Sequence, residues 1–229
     1  PEQKKIAEIL LSVDEAIGKK QEIIEKTKML KKGLMQELFT HGIGHKKFKK
    51  TEIGKIPVDW EVVEIREISR VTRGASPRPI RDQKYFGDGH GWVRISDVTN
   101  SNIYLRETKD HLSNLGASKS IIVKPGNLIM SICATIGKPI IVDMDACIHD
   151  GFVLFNDLSD QVDVLYLFYW LQKNESYFSN QGQYGTQKNL NTGIIKNTTM
   201  SLPPLSEQKK IAEILTSVDE EIEKEMAQK

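Results

Sequence analysis

The sequence has little of what would assign it to a specialised class of protein. It contains only two cysteines, Cys133 and Cys147, too few for a disulfide framework, so we expect free thiols and a reducing compartment. No apolar run approaches the roughly 18–20 residues that a membrane span needs, and the first residues lack the layout of a signal peptide. We therefore expect a cytoplasmic protein with no membrane segment.

Catalytic motifs are also scarce. The glycine-rich stretch GDGHG at 87–91 precedes a predicted strand, whereas the nucleoside-cofactor loop of a methyltransferase follows one. PVDWE at 57–61 lacks the lysine that would complete a metal-dependent nuclease site. CIHD at 147–150 is better explained by a buried cysteine beside a hydrogen-bonded histidine, because a strand points alternate side chains to opposite faces. The sequence predicts neither an enzyme nor a metal site.

Charge is nearly balanced but unevenly placed. A formal net charge of +1 argues against a uniformly basic coat for nucleic acid. All seven arginines nevertheless fall between Arg66 and Arg106, while both ends of the chain use only lysine. The planar fork of arginine can take two acceptors at once, as on a guanine edge, whereas lysine is a point charge suited to phosphates. Contact with DNA is therefore predicted to come from the middle of the chain.

One segment of the sequence occurs twice in the chain. Residues 2–17 and 207–222 are identical except at Leu11/Thr216 and Ala16/Glu221. A repeated unit that cannot bury its own apolar face needs a second copy to cover it. The repeat therefore indicates paired helical segments at the two ends of the chain.

The first copy begins a helical pattern that runs from Glu2 to about Leu38. Its apolar residues step by three and four, with a phase slip, as in a coiled coil. So narrow a stripe on so long a helix implies a helical partner, either the second repeat or another chain. The predicted seam consists of Ile6, Leu10, Val13, Ile17, Ile24 and Leu34.

Between the repeats lie short strand-like runs separated by polar loops rich in glycine, serine, asparagine and proline. WVRIS at 92–96 and GFVLF at 151–155 are typical of strands, whereas FGDGHG at 86–91 is typical of a loop. This predicts an α+β protein with a mixed, mostly β domain and long coiled-coil helices. The predicted division is a helix at 1–42, a domain at 43–205 and the start of a second helix at 206–229.

Several of these loops carry side chains able to read base edges. Asparagine and glutamine can pair with adenine, arginine with guanine, and lysine and serine with phosphate. Each polar loop by itself is usually only solvated, but the confinement of arginine favours DNA contact. The candidate DNA-binding residues are Arg73, Gly74, Ser76, Arg78, Arg81, Arg94, Ser96, Asp97, Thr135, Lys138, Tyr184, Gln187, Lys188 and Asn189.

Three stretches resemble the specificity subunits of type I restriction-modification enzymes. They are LKKGLMQELFTHGIGHKKFKKTEIGKIPVDWEV at 30–62, TQKNLN at 186–191 and LPPLSEQKKIAEIL at 202–215. They are similar to the junctions where such subunits pass between a spacer helix and a target recognition domain. The resemblance covers essentially the whole chain, and it is dense at the junctions and loose in the middle.

The resemblance implies a non-catalytic subunit that binds double-stranded DNA. The chemistry would belong to partners: a methylation subunit that uses S-adenosylmethionine and flips an adenine, and a translocating restriction subunit that uses ATP. Under this reading the chain itself carries no cofactor, and its helices dock the methylation subunit.

The chain departs from the family plan of two recognition domains and two spacer helices, because it has one domain and one and a half spacers. It begins without Met, in the middle of a motif, so we expect a half-subunit, whether natural or a fragment. Two copies would restore the twofold layout, and a homodimer should read an inverted repeat. The alternative is a coiled-coil module that binds or assembles another protein, and a stand-alone nuclease or methyltransferase is disfavoured by the missing motifs.

Overall fold

The structure, a computed structural model, describes residues 2–182 and 189–227. Within these residues, no helix combines the length and the apolarity that a membrane crossing requires. The helices are α1 Glu2–Leu38, α2 Ile65–Ile68, α3 Ile95–Asn100, α4 Asn114–Ala117, α5 Val164–Lys173, α6 Glu175–Gln181, α7 Thr192–Lys196 and α8 Leu205–Ala227. The strands are β1 Phe48–Thr51, β2 Gly54–Pro57, β3 Glu61–Glu64, β4 Arg70–Arg73, β5 Phe86–Val93, β6 Tyr104–Leu105, β7 Asp110–Leu112, β8 Ile121–Val123, β9 Leu128–Ser131, β10 Pro139–Val142, β11 Ala146–Ile148, β12 Phe152–Asn156 and β13 Thr199–Leu202.

The strands between the two long helices form two main sheets. One has five strands in the order β4-β12-β9-β10-β6, and the other has four in the order β7-β5-β11-β8. Each sheet is mixed, since β10 pairs with β6 in parallel and β11 pairs with β5 in parallel. The hairpin β1-β2 and the pair β3-β13 lie beside them. The predicted α+β class, with a mostly β domain and long helices, is confirmed.

The five-stranded sheet is buried on both faces. Along β9, Leu128 and Met130 belong to the core under α5, while Ile129 belongs to the core between the two sheets. A strand covered on both faces needs apolar residues at every position, instead of alternating ones. This explains why β9, β10 and most of β12 read as continuous apolar runs. The domain therefore stacks helices, five strands and four strands as three layers.

The glycine-rich stretch 86–91 was predicted to be a loop, and this prediction is wrong. It forms most of β5, which pairs with β7 across an irregularity and with β11. A Cβ atom built on Gly89 would lie 2.4 Å from the Leu112 carbonyl oxygen, and one on Gly91 would lie 2.6 Å from side chains of Met144 and Thr108. The glycines are required because neighbouring chain approaches the strand closely. The predicted strand 92–96 also ends early, because Ser96 belongs to α3.

The second half of α1 packs against α8 in antiparallel orientation. Lys20 lies 3.9 Å from Glu225, and Lys31 lies 2.7 Å from Asp219, so the numbers rise along one helix as they fall along the other. The expectation that the second repeat covers the first helix is therefore confirmed for this half. Ile24 is buried here and Leu34 packs against the main core. These two residues are not available to another chain, which corrects the predicted seam.

A buried carboxylate fixes the register of the two helices. Asp219 accepts hydrogen bonds from the Lys31 ammonium (2.7 Å) and from the Tyr169 hydroxyl of α5 (2.9 Å). Lys31 also donates to Gln172 of α5 (2.8 Å). One acidic side chain thus joins α1, α5 and α8, and it is only 3% exposed. Burial of the hydroxyl raises the pKa of Tyr169, which keeps it a donor to the carboxylate.

The start of α8 is held by two consecutive polar side chains. Glu207 accepts from the Trp60 indole nitrogen (2.9 Å) and the Ile43 amide (2.9 Å), and its carboxylate lies 2.8 Å from Nε2 of His45. Gln208 is fully buried, and its side chain bonds to backbone groups of the segments before α5 and α8. The N-terminal turn of the second repeat is therefore bound to both ends of the domain.

The repeated segment has opposite environments in its two copies. In α8, Ile211 and Leu215 are fully buried against the domain and α1. In α1, their equivalents Ile6 and Leu10 are 52% and 58% exposed, since the first half of the helix extends past the end of α8. Val13 and Ile17 are also exposed. Four residues of the predicted seam thus remain on the surface, and the first half of α1 is an uncovered duplicate of a buried face.

The predicted domain boundaries lie close to the ends of the long helices. α1 ends at Leu38, four residues before the predicted boundary, and α8 begins at Leu205, next to the second one. Where the units divide stays a prediction, because the segment 39–47 packs on both α1 and the domain through residues such as Phe39 and His45.

Replacing Asp219 with Ala should lower the free energy of unfolding by about 3 kcal/mol, because it leaves the Lys31 ammonium nearly buried without its counter-charge. The matched control is Asp14→Ala, the same position of the first repeat. Asp14 is exposed, so this change should cost less than about 0.5 kcal/mol. Urea unfolding of both variants, followed by circular dichroism, measures the difference. Equal losses would show that the Asp219 contact does not hold the helices.

Candidate nucleic-acid interface

The seven arginines separate into two groups by their surroundings. Arg66, Arg70 and Arg106 form exposed ion pairs with Glu64, Asp157 and Asp143. The remaining four lie on or next to the segments joining β4 to β5 and β5 to α3, and they are Arg73, Arg78, Arg81 and Arg94. The structure thus places four of the arginines on or beside the two segments that adjoin β5.

Asp150 is the centre of the first cluster. It follows β11, and its carboxylate accepts from the Ser76 hydroxyl (2.6 Å) and from Nη2 of Arg78 (2.7 Å). Its backbone oxygen accepts from Nε of Arg73 (2.8 Å). Burial raises the pKa of this carboxyl, but the Ser76 hydrogen bond and the Arg78 charge outweigh it and hold the pKa below its ordinary value. Three predicted DNA-binding residues therefore meet at Asp150, Ser76 and Arg78 at its ionised carboxylate and Arg73 at its backbone oxygen.

Gly74 has a structural role beneath this cluster. A Cβ atom on it would lie 2.1 Å from the His149 carbonyl oxygen, and its amide donates to Phe152 (2.9 Å). Gly74 is buried, so it does not bring the backbone to the surface, as its assignment to the DNA-binding set required. It allows the loop after β4 to lie flat on the turn between β11 and β12.

His149, the residue before Asp150, packs next to the carboxylate. Its ring lies between the rings of Trp92 (5.7 Å) and Phe152 (4.8 Å), and its Nδ1 accepts from the Gly151 amide (2.9 Å). Burial, with a smaller contribution from Arg94, lowers the pKa of His149 to about 4, against the attraction of Asp150. The ring is therefore neutral near pH 7. This confirms the interpretation of CIHD as a buried cysteine beside a hydrogen-bonded histidine, since Cys147 is fully buried.

Arg94 lies next to the same group of rings. Its Nε donates to Asp110 (2.8 Å), and its guanidinium lies 5.5 Å from the Trp92 ring. Asp97, a predicted DNA-binding residue, instead accepts from the Arg94 backbone amide (2.9 Å) at the start of α3. Ser96 is exposed on the same turn. Arg94 is thus partly buried beside the Trp92 ring, Ser96 faces solvent, and the Asp97 carboxylate caps a helix.

The remaining candidates lie at the edge of this region or outside the described residues. Asn189 forms an isolated backbone bridge with Cys133 and lines a small recess together with Arg73. Thr135 lies on the turn after β9, where it lines a groove against α1. Lys138 donates to the Thr99 carbonyl oxygen (3.3 Å). Tyr184, Gln187 and Lys188 lie outside the described residues.

The sequence reasoning missed Asp150 and Trp92. CIHD was weighed as a metal site and as a buried cysteine beside a histidine, with no role for Asp150, and an aspartate that pairs with distant arginines has no periodicity that would reveal the pairing. Within the described residues, no group of three or more His, Cys, Asp and Glu side chains could hold a metal ion. Both thiols are protonated at neutral pH, since burial raises the pKa of Cys133 and raises that of Cys147 to about 11.

The comparison that decides the family covers most of the chain. Residues 57–229 match the family described as Type I restriction modification DNA specificity domain. The chain belongs to this family. The arginine-bearing loops and α2, the first helix of the domain, all lie within the matched range.

Two relatives from Methanocaldococcus jannaschii show how much of the family plan is present. The chain is similar to the type I restriction enzyme MjaVIII specificity subunit, at 33% identity over 97% of this chain and 54% of that protein. It is similar to a specificity subunit of the MjaX system at 33% identity, over 97% of this chain and 51% of that protein. The chain thus spans about half the length of these relatives.

A solved structure shows the same fold. The HsdS subunit from Thermoanaerobacter tengcongensis superposes with a TM-score of 0.69 at 18% identity, over 97% of this chain and 50% of that one. This likeness covers the long helix as well as the domain. The arrangement of the helices around the domain is therefore shared with that structure.

The neutral state of His149 predicts an acid-sensitive fold. Its pKa is about 4 when folded and about 6.5 when unfolded, so the unfolded chain binds more protons between these values. Stability should fall as the pH drops from 6.5 to 4, by roughly 3 kcal/mol from this residue. In His149→Asn, whose amide oxygen can still accept from Gly151, this part of the loss should be absent. Urea unfolding at several pH values measures it.

The control is His111→Asn, because His111 is exposed on β7. Its profile should follow that of the unmodified chain. If His149→Asn has the same slope between pH 6.5 and 4 as the unmodified chain, His149 is not the buried neutral group described above.

Proposed function

We propose that this chain is the recognition half of a type I specificity subunit and that it reads double-stranded DNA through the surface around Asp150. The observation that supports it is the meeting of Arg73, Ser76 and Arg78 at Asp150, where Arg73 binds the backbone oxygen and the other two bind the carboxylate. Arg73 and Arg78 are exposed, as a base-reading side chain must be. Membership of the specificity family supports the same function.

The chemistry of this surface fits a groove of DNA better than the phosphate backbone alone. Arginine takes both acceptors of guanine, and asparagine takes the adenine edge, so Arg73 and Asn189 in one recess could read adjacent bases. The net charge of +1 supplies little long-range attraction. Binding would therefore depend on base contacts and on the local pair of arginines, not on a basic coat.

The chemistry on DNA would be carried out by partners. Under this proposal the chain is not an enzyme, S-adenosylmethionine binds to a methylation subunit, and ATP binds to a restriction subunit. The lysine-rich outer faces of α1 and α8 are the surfaces available to the methylation subunit. Since its substrate is chromosomal DNA, the protein would act in the cytoplasm.

The exposed first half of α1 supports association with a second copy. Ile6, Leu10, Val13 and Ile17 form an exposed stripe, and three of their four equivalents in the second repeat, Ile211, Leu215 and Ile222, are buried by this chain itself. Two copies could cover both stripes by pairing the first halves of α1 in antiparallel orientation, as α1 and α8 pair within one chain. The homodimer would place two recognition domains on opposite ends of a twofold helix pair, matching an inverted repeat.

The same exposed stripe also favours the second candidate, a coiled-coil module that binds another protein. Salt separates the two functions, because phosphate contacts release counterions and DNA affinity then falls steeply as salt is added. A chain that binds no duplex of any sequence, even with a methylation subunit present, would favour the protein-binding module.

Replacing Arg78 with Ala should weaken binding to the target duplex by about 1–3 kcal/mol, since it removes one bidentate base contact, and should barely change binding to unrelated DNA. The target is first obtained by selecting bound duplexes from a random pool, and affinities are measured by fluorescence anisotropy. Arg66→Ala, which removes an arginine paired with Glu64, is the control and should bind both duplexes normally. Equal losses on both duplexes for Arg78→Ala would assign Arg78 to phosphate.

Replacing Leu10 with Glu should abolish dimers of the chain, because it introduces a charge into the apolar stripe. The matched control is Leu30→Glu, since Leu30 is as exposed as Leu10 (58% each) but lies on the half of α1 that already packs against α8. Sedimentation velocity at micromolar concentration measures the association state. A monomeric unmodified chain, or equal effects of the two changes, would contradict the homodimer.

A further inference from the structure

The surface around Asp150, which carries Arg73, Ser76 and Arg78, has at its centre an acidic group that DNA would not be expected to tolerate. Asp150 lies at its centre, and its carboxylate is 40% exposed. A carboxylate repels phosphate, so a surface selected only for affinity would lack it. An exposed ion pair also contributes little to folding stability, about 0–1 kcal/mol. Neither general affinity nor stability explains an aspartate at this position.

We infer that Asp150 is a positioning residue whose carboxylate presents the Arg78 guanidinium for base readout, beside Arg73 on the backbone oxygen of the same residue, and so determines sequence selectivity. This inference rests on the proposed DNA-reading function. Asp150 itself contacts no base. The selectivity comes from the way in which Asp150 holds the two arginines.

The hydrogen bonds leave the reading edges of both arginines available. Arg73 is held through Nε, so its two Nη groups, which form the fork that fits guanine, are not used by Asp150. Arg78 is held through Nη2 alone, which leaves its other donors for an acceptor. Each side chain is thus fixed at one point. Fixing a long side chain before binding reduces the conformational entropy that is lost when the base contact forms.

Asp150 is itself fixed by the fold. Ser76 donates to its carboxylate, Gly74 packs on the preceding residue, and Gly151 after it has no room for a side chain beside Cys133 and His149. The support is therefore a rigid turn between two central strands. A rigid support is what a readout group requires, because an error of about 1 Å in a bidentate contact removes most of its selectivity.

The charge of Asp150 also limits binding to unrelated DNA. The cluster has two guanidinium groups and one carboxylate, so it carries one net positive charge instead of two. Without the carboxylate, Arg78 could move to the nearest phosphate, which is present on every sequence. Asp150 would thereby weaken non-specific binding while it orients the specific contact.

The test is Asp150→Asn, which keeps the size of the side chain and its bond with Ser76 but loses the charge that holds Arg78. We expect binding to the selected target to weaken about tenfold, in the range set by one lost base contact, while binding to unrelated duplex stays equal or becomes tighter. Ser76→Ala, which removes only one support of the carboxylate, should give a smaller loss of selectivity. Anisotropy titrations on both duplexes measure the ratio.

A double-mutant cycle distinguishes positioning from direct contact. If Asp150 acts through Arg78, Asp150→Asn should have little further effect on target binding in an Arg78→Ala background, and both single changes should relax the preference at the same base pair. If Asp150 itself contacts a base, the two losses should add, and Asp150→Asn should relax a different base pair. The second result would overturn the inference.

Asp157→Asn is the matched control, because Asp157 forms an exposed ion pair with Arg70 near the same sheet and should leave selectivity unchanged. Thermal unfolding of each variant checks that the fold is kept. If the unmodified chain selects no sequence, the proposed function fails. If it selects one and Asp150→Asn leaves the ratio unchanged, only the inference about Asp150 fails.

Discussion

The buried contact of Asp219 with Lys31 and Tyr169 is the constraint on which the arrangement of the helices depends. It fixes α1 and α8 at one register against α5, so the long helix is attached to the recognition domain through its second half alone. A buried carboxylate tolerates few alternatives, since any other register would leave it without a partner. The first half of α1 extends freely because α8 ends beside Lys20.

In both the repeat and the set of arginines, identical residues have different environments. Of the fourteen identical residues of the repeat, six are buried in α8 and exposed in α1, because only the second copy has α5 and the other helix beside it. Likewise, arginines have different surroundings along the chain, since Arg78 meets two other candidate residues at Asp150, whereas Arg70 forms a separate ion pair. In both cases, the neighbour decides what an identical residue does.

Much of the fold follows from local pattern. The long helix from Glu2 to Leu38, the helix around residues 164–173 and most buried strands match their apolar periodicity, which depends on neighbours in sequence. The glycine-rich strand β5 does not, because its glycines serve close approach by Leu112 and Thr108, distant parts of the chain. The Asp150 cluster was missed for the same reason, since Arg78 and Asp150 are 72 positions apart.

The sequence by itself determined the class of the fold, the repeated helical segment, the confinement of arginine to the middle of the chain and the resemblance to type I specificity subunits. These are properties of composition, spacing and motif. Only the tertiary structure decided which copy of the repeated segment is buried, that Ile24 and Leu34 pack within the chain, and that Asp150 joins three of the candidate residues. Pairing across distant segments depends on how the sheets and helices are stacked, and no local pattern encodes it.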